Sequence, residues 1–124
     1  MYATSTASLY DRLGGRPRIA AIMNDVVANH LANPIVAPRF RQVTDLDKLR
    51  DHAINFVCAG TGGSEAYSGR DMRTAHTGMN ISEQEFVAVI DDILAALDKH
   101  GVGPQERQEI LAIAYSLKND IVRV

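Results

Sequence analysis

The sequence predicts an all-α chain, and three observations carry that prediction. Apolar residues recur at three- and four-residue steps along most of the 124 positions, the period of one helical face. Glycine, proline and capping residues stand where those periodic runs stop and start. No stretch alternates in the two-residue period of a half-buried strand, and no internal repeat or domain linker interrupts the pattern, so a single domain is expected over 1–124, with 1–7 as a flexible N-terminal extension.

Ser8 to Leu13 reads as a short first helix, stopped at Gly14-Gly15, where positive φ costs little. Pro17 suits the first turn of the next helix. That helix presents Ile19, Ile22, Met23, Val26, Val27, His30 and Leu31 on one side, and Asn33-Pro34 and Pro38 end it. Residues 34–43 form an irregular or short-helix corner carrying Phe40. Thr44 is the expected N-cap of a third long segment, with Asp47 three positions on. Leu46, Leu49, His52, Ala53, Phe56 and Val57 line one side of it, until Gly60, Gly62 and Gly63 break it. A loop over 64–69 leads to a short helix from Asp71 to about Gly78. Ser82 and Glu85 then spell a capping box ahead of the clearest amphipathic stripe, Phe86, Val89, Ile90, Ile93, Leu94 and Leu97. Lys99, His100 and Gly101 suit its C-terminus. Pro104 opens a last helix with Ile110, Ile113, Ala114, Leu117 and Ile121 inward.

Composition narrows the function. Hydrophobic residues make up 46% and charged residues 23%, ordinary for a soluble globular domain. Thirteen basic against fifteen acidic side chains leave a net charge of −2, scattered without a like-charge block. That balance argues against nucleic acid or an anionic membrane as a partner. No run approaches the roughly 20 apolar residues of a membrane span. Cys58 is the single cysteine, which excludes an internal disulfide, a C-x-x-C-H haem attachment and any multi-cysteine zinc or iron–sulfur site. A cytoplasmic monomer is expected.

Four histidines are candidates for chemistry. His100, at a helix end, reads as a solvated residue favoured by the helix dipole. His30 reads as a core or boundary histidine with one hydrogen bond. His52 borders the inward face, one helical step from Leu49 and from Phe56, and on pattern alone is a boundary histidine. His76 lies among Met72, Ala75 and Met79, and a lone neutral imidazole against apolar helices is a common way to hold haem iron. The glycine-rich loop Gly60-Thr-Gly-Gly63 lacks the ending of a phosphate-binding loop and follows no strand. Asp91-Asp92 is read as part of a solvated helix face.

Leu9-Tyr-Asp-Arg-Leu-Gly-Gly15, Phe40, Gly62-Gly63 and the block Tyr67-Ser-Gly-Arg-Asp-Met-Arg-Thr-Ala-His-Thr-Gly-Met79 together resemble the truncated haemoglobins, closest to their first group. The correspondence runs from about Ser8 to Val122. It implies a globin-like, two-over-two helical sandwich around haem b. It also implies that His76 is the proximal iron ligand and that Phe40 packs on the porphyrin. Met72, Met79, Phe86, Val89 and Ile93 would wall the lower and inner side, and Lys48 and Arg73 would meet the propionates.

The distal side departs from the family pattern. Val27 falls where relatives often carry tyrosine, and Leu49 and Ala53 fall where they often carry glutamine. Val27, Leu49, Ala53 and Phe56 would then face the ligand without a donor, leaving His52. In some relatives a histidine there ligates iron. His52 is therefore either a hydrogen-bond donor, a distal iron ligand or a boundary residue. Reversible binding of diatomic gases (dioxygen, nitric oxide, carbon monoxide) is the first functional expectation. A haem redox enzyme served by an external reductase, acting as a nitric oxide dioxygenase or a nitrite or hydroxylamine reductase, is the second. A haem-free helical interaction or sensor module is the third.

Overall fold

The computed structural model describes residues 7–124; apart from Ala7, the N-terminal extension expected over 1–7 lies outside them. Helix α1 (Leu9–Arg12) leads directly into α2 (Gly15–Ala32). A 3-10 corner (Ala37–Phe40) precedes α3 (Leu46–Gly60). Then come the five-residue α4 (Met72–His76), α5 (Glu83–Lys99), α6 (Pro104–Ser116) and α7 (Lys118–Ile121). Extended pairing among the described residues is limited to one isolated bridge, Ile81 with Val122. No helix among them is long and apolar enough to cross a membrane.

Local chemistry explains the boundaries. Ser8 caps α1 by accepting from the Asp11 backbone N–H. Gly14 then takes φ 101°, and a side-chain carbon there would press on the Arg18 side chain, so only glycine lets α2 begin at once. The cap of α3 is Asp45, which accepts from Lys48 N at 3.0 Å, rather than Thr44. The capping box at Ser82 and Glu85 is complete. The last helix is not continuous: it breaks at Leu117, which closes α6 and caps α7.

Helix α2 is the central element and packs against both α3 and α5, while α5 packs on α6. One buried cluster joins Leu9, Leu13 and Ile19 to Ile54 and Cys58 of α3. A second joins Ile22 and Val26 to Ala96 and Leu97 of α5. Burial pushes the Cys58 thiol up from its ordinary value.

Polar contacts set the antiparallel register of α2 and α5. At one end Asp25 accepts from His100 Nε2–H (2.6 Å) and Lys99 (3.3 Å), which together hold its carboxyl below the usual range. His100 is therefore a half-buried partner of α2 rather than a solvated end. At the other end Asp92 is buried, contrary to the expected solvated face. It accepts from His30 Nδ1–H (2.7 Å) and Asn33 Nδ2–H (3.1 Å), and its backbone carbonyl accepts from Asn29 (3.0 Å). Periodicity placed Asp92 outside because it cannot foresee that Asn29 and His30 of α2 and its C-cap Asn33 converge on it. Removing one partner from such a buried set costs about 1–3 kcal/mol.

Arg39 in the corner clamps the start of α5 with two contacts to Glu85, one of 2.8 Å, and also reaches the Met79 carbonyl (2.9 Å). The guanidinium holds the Glu85 carboxyl down at about 2, against an ordinary 4.5. A depressed carboxyl stabilises the fold above its ordinary value and loses that contribution as pH falls through the folded one. Glu85→Gln should therefore cost about 1 kcal/mol at neutral pH. That deficit, read from denaturant midpoints, should shrink between pH 4.5 and 2 and disappear below.

Candidate functional site

A cavity of about 600 Å³ with almost wholly apolar walls opens between α2, α3, α5 and α6. Its volume lies in the range of about 300–1,000 Å³ typical of small-molecule and cofactor pockets. The periodicity of each helix delivers one stripe to it. From α2 come Met23, Val27 and His30; from α3, Leu49, His52, Ala53 and Phe56; from α5, Phe86, Val89 and Ile93. Phe40 enters from the corner, and Met72 and His76 from α4. The inward face of α6, Ile110, Ile113 and Ala114, looks into the same space, and none of the α6 residues is fully buried.

His76 sits at the end of α4. Its Nδ1–H donates to the Met72 carbonyl one turn earlier, at 2.7 Å. That hydrogen bond makes Nε2 the lone-pair nitrogen. Five residues cannot hold a helix in isolation, and α4 is instead packed against α7. Arg73 reaches Asp120 (3.3 Å) and the Asn119 carbonyl (3.0 Å). Beyond the helix, Gly78 N–H and Asn80 N–H donate to the Val124 carbonyl (3.2 and 3.1 Å), and Arg123 N–H to Ile81 O (2.9 Å). The imidazole is thus presented from a short element pinned at both flanks.

His52 enters from α3. Its Nδ1 is buried and has no hydrogen-bond partner among the described residues. The other polar side chains on the wall are spoken for. His30 is tied to Asp92, Thr61 Oγ1 donates to the Val57 carbonyl (2.7 Å), and the Tyr67 hydroxyl donates to the Arg70 carbonyl.

Three residues expected at the site do not line the cavity. Met79 lies past the end of α4, where its carbonyl serves Arg39. Arg73 is turned onto α7 by Asp120 and Asn119. Lys48 occupies the first turn of α3, outside the wall. Sequence reasoning also missed Tyr67. Its ring closes one side of the cavity, edge-on to Phe56 (5.2 Å between centroids) and to His52 (6.2 Å). A tyrosine in a loop carries no periodic signal; its place inside the Tyr67–His76 block was the available clue.

A family model described as bacterial-like globin matches residues 8–123. The chain is 28% identical over 116 residues to the group 1 truncated haemoglobin of a Nostoc species, covering 94% of this chain and 98% of that protein. It is 30% identical over 112 residues to the group 1 truncated haemoglobin of a Synechocystis species, covering 87% and 90%. Among solved structures, the Fe(III) form of the Tetrahymena pyriformis truncated haemoglobin superposes with a TM-score of 0.90 at 27% identity, over 95% of this chain and all (100%) of that one. The 2/2 haemoglobin of a Synechococcus species, in a cyanomet state with covalently attached haem, gives 0.86 at 27% identity over 94% and 98%. With most of its length matched, this chain belongs to the bacterial-like globins, as a group 1 truncated haemoglobin with their all-α two-over-two fold.

Proposed function

We propose that this chain is a haem-b globin that binds diatomic gases, with iron held by His76 and with His52 as the sole polar group acting on the opposite side. The observation that carries the reading is the His76 imidazole, its Nδ1–H given to Met72 O and its Nε2 left as a lone pair on an apolar cavity. Two further features support it. A space of 600 Å³ with such walls would, if unfilled, forfeit on the order of 10 kcal/mol of packing. That is comparable to the whole stability of an ordinary domain, so the walls call for a large apolar occupant. His52 lines the same space and brings an imidazole within reach of whatever fills it.

The residues present therefore fit haem. When bound, haem supplies an iron with an exchangeable position for a diatomic ligand. The protein supplies the rest. The Met72 carbonyl fixes the tautomer and ring angle of His76 and raises its basicity. Phe40, Val89 and Ile93 exclude water. Val27, Leu49 and Ala53 offer no donor, so ligand polarity falls to His52 alone. Lys48, in the first turn of α3, is the cation proposed for a propionate. Arg73 would have to leave Asp120 to act as a second, and that exposed pair is weak enough to exchange.

A second reading rests on His52. An imidazole competing for the iron suits one-electron redox chemistry with an external reductase better than gas carriage. Nitric oxide dioxygenation or reduction of nitrite or hydroxylamine belongs to that class.

Titration of haem into the purified chain tests the first reading. A Soret band at one haem per chain is expected for the wild type. His76→Ala should weaken uptake and lose the proximal signature, and an unchanged spectrum in that variant would overturn the assignment. Leu49→Gln should introduce a donor beside the ligand and slow dioxygen release about tenfold or more, the factor expected of a hydrogen bond to a partly charged acceptor. Stopped-flow displacement by carbon monoxide would measure it, and an unaltered rate would place Leu49 away from the ligand.

A further inference from the structure

We propose that Tyr67 is the positioning residue for His52, and that the loop carrying it couples the two imidazoles of the cavity. The proposal rests on the haem reading above and adds what sets the behaviour of the distal side.

Among the described residues no hydrogen bond holds the His52 ring, whose buried Nδ1 is without a partner. Packing must do so. The ring that meets it is Tyr67, edge-on at 82°, with 6.2 Å between centroids. The same tyrosine meets Phe56, one helical turn further along α3, at 75° and 5.2 Å. Edge-to-face contacts of this kind are preferred and directional. Tyr67 thus spans two consecutive turns of α3 and fixes one orientation of the imidazole between them.

Tyr67 is itself held. Its hydroxyl donates to the Arg70 carbonyl, and its ring lies so close over Gly69 that any side-chain carbon there would collide with it. Arg70 is followed by Asp71, the N-cap of α4, and α4 ends in His76. The support for the distal imidazole and the start of the proximal helix are therefore one continuous stretch of chain.

An imidazole that acts on iron or on a bound ligand from one orientation works best when that orientation is prepared in advance. Tyr67 supplies that preparation. Loss of the ring spreads His52 over several rotamers and weakens its action, whether as sixth ligand or as hydrogen-bond donor. Loss of the hydroxyl alone leaves the edge contact in place.

The test uses the haem-loaded full chain as wild type, Tyr67→Phe, Tyr67→Ala, His52→Ala and the Tyr67→Ala/His52→Ala double variant. Far-ultraviolet circular dichroism confirms that each is folded. Two spectra are read: the low-spin to high-spin ratio without added ligand, and the C–O stretching band of the carbon monoxide adduct. Tyr67→Ala should lower the low-spin ratio about 2- to 10-fold, the factor an aromatic edge contact is worth. If the unliganded iron lacks a sixth ligand, the same variant should instead broaden or split the C–O band. Tyr67→Phe, which keeps the ring and loses only the Arg70 contact, should lie closer to wild type than to Tyr67→Ala in both. In the His52→Ala background, Tyr67→Ala should change neither. Wild-type spectra in Tyr67→Ala, or an equal change with His52 already removed, would overturn the positioning role while leaving haem binding intact. A chain that takes up no haem would remove both readings.

Discussion

The hydrogen bond from His76 Nδ1–H to the Met72 carbonyl, 2.7 Å long, decides which nitrogen of that imidazole keeps its lone pair. It spans one turn of a helix only five residues long. So short a helix has no stability of its own, and its geometry is borrowed from its neighbours. Helix α7, the Arg73 contacts and the backbone bonds to Val124 hold it from outside the cavity. The break at Leu117 has a role in this arrangement, because it gives the chain a separate α7 on which α4 can rest.

Around that imidazole the chain separates polar from apolar with little overlap. Polar contacts tie the helices together: Asp25 with His100 and Lys99, Asp92 with His30 and Asn33, Arg39 with Glu85. The space they enclose is left to aliphatic and aromatic side chains. In such surroundings an unsatisfied polar atom is expensive and any electrostatic contact it makes is strong. His52 is the group in that position, which is why the proposed distal chemistry falls to one residue.

Much of this was legible in the sequence because it rests on local signals. The capping box at Ser82, the glycine break at Gly14 and the stripes of α2, α3 and α5 follow from short-range spacing. The ordered block from Tyr67 to His76 carried the family, and the family comparisons bear that out. What stayed hidden depends on contacts between distant segments. Asp92 looks solvated until Asn29, His30 and Asn33 meet it across the helix pair. His100 looks like a simple helix end until Asp25 arrives from α2. Asp45 displaces Thr44 as the cap because its side chain, not the threonine's, meets the Lys48 N–H. The resemblance put Arg73 and Met79 at the haem, but Arg73 contacts Asp120 and Asn119 and Met79 does not line the cavity. The Met72 carbonyl as the partner of His76 could not be named in advance, since every residue offers a carbonyl.

Resonance Raman spectroscopy of the haem-loaded ferrous protein tests the proposed iron–His76 bond most directly. With a ligand-free iron, an iron–imidazole stretching band is expected, shifting when the histidines carry ¹⁵N and vanishing in His76→Gly until free imidazole restores it. A band indifferent to His76→Gly, or none at all from a five-coordinate iron, would contradict coordination through this residue.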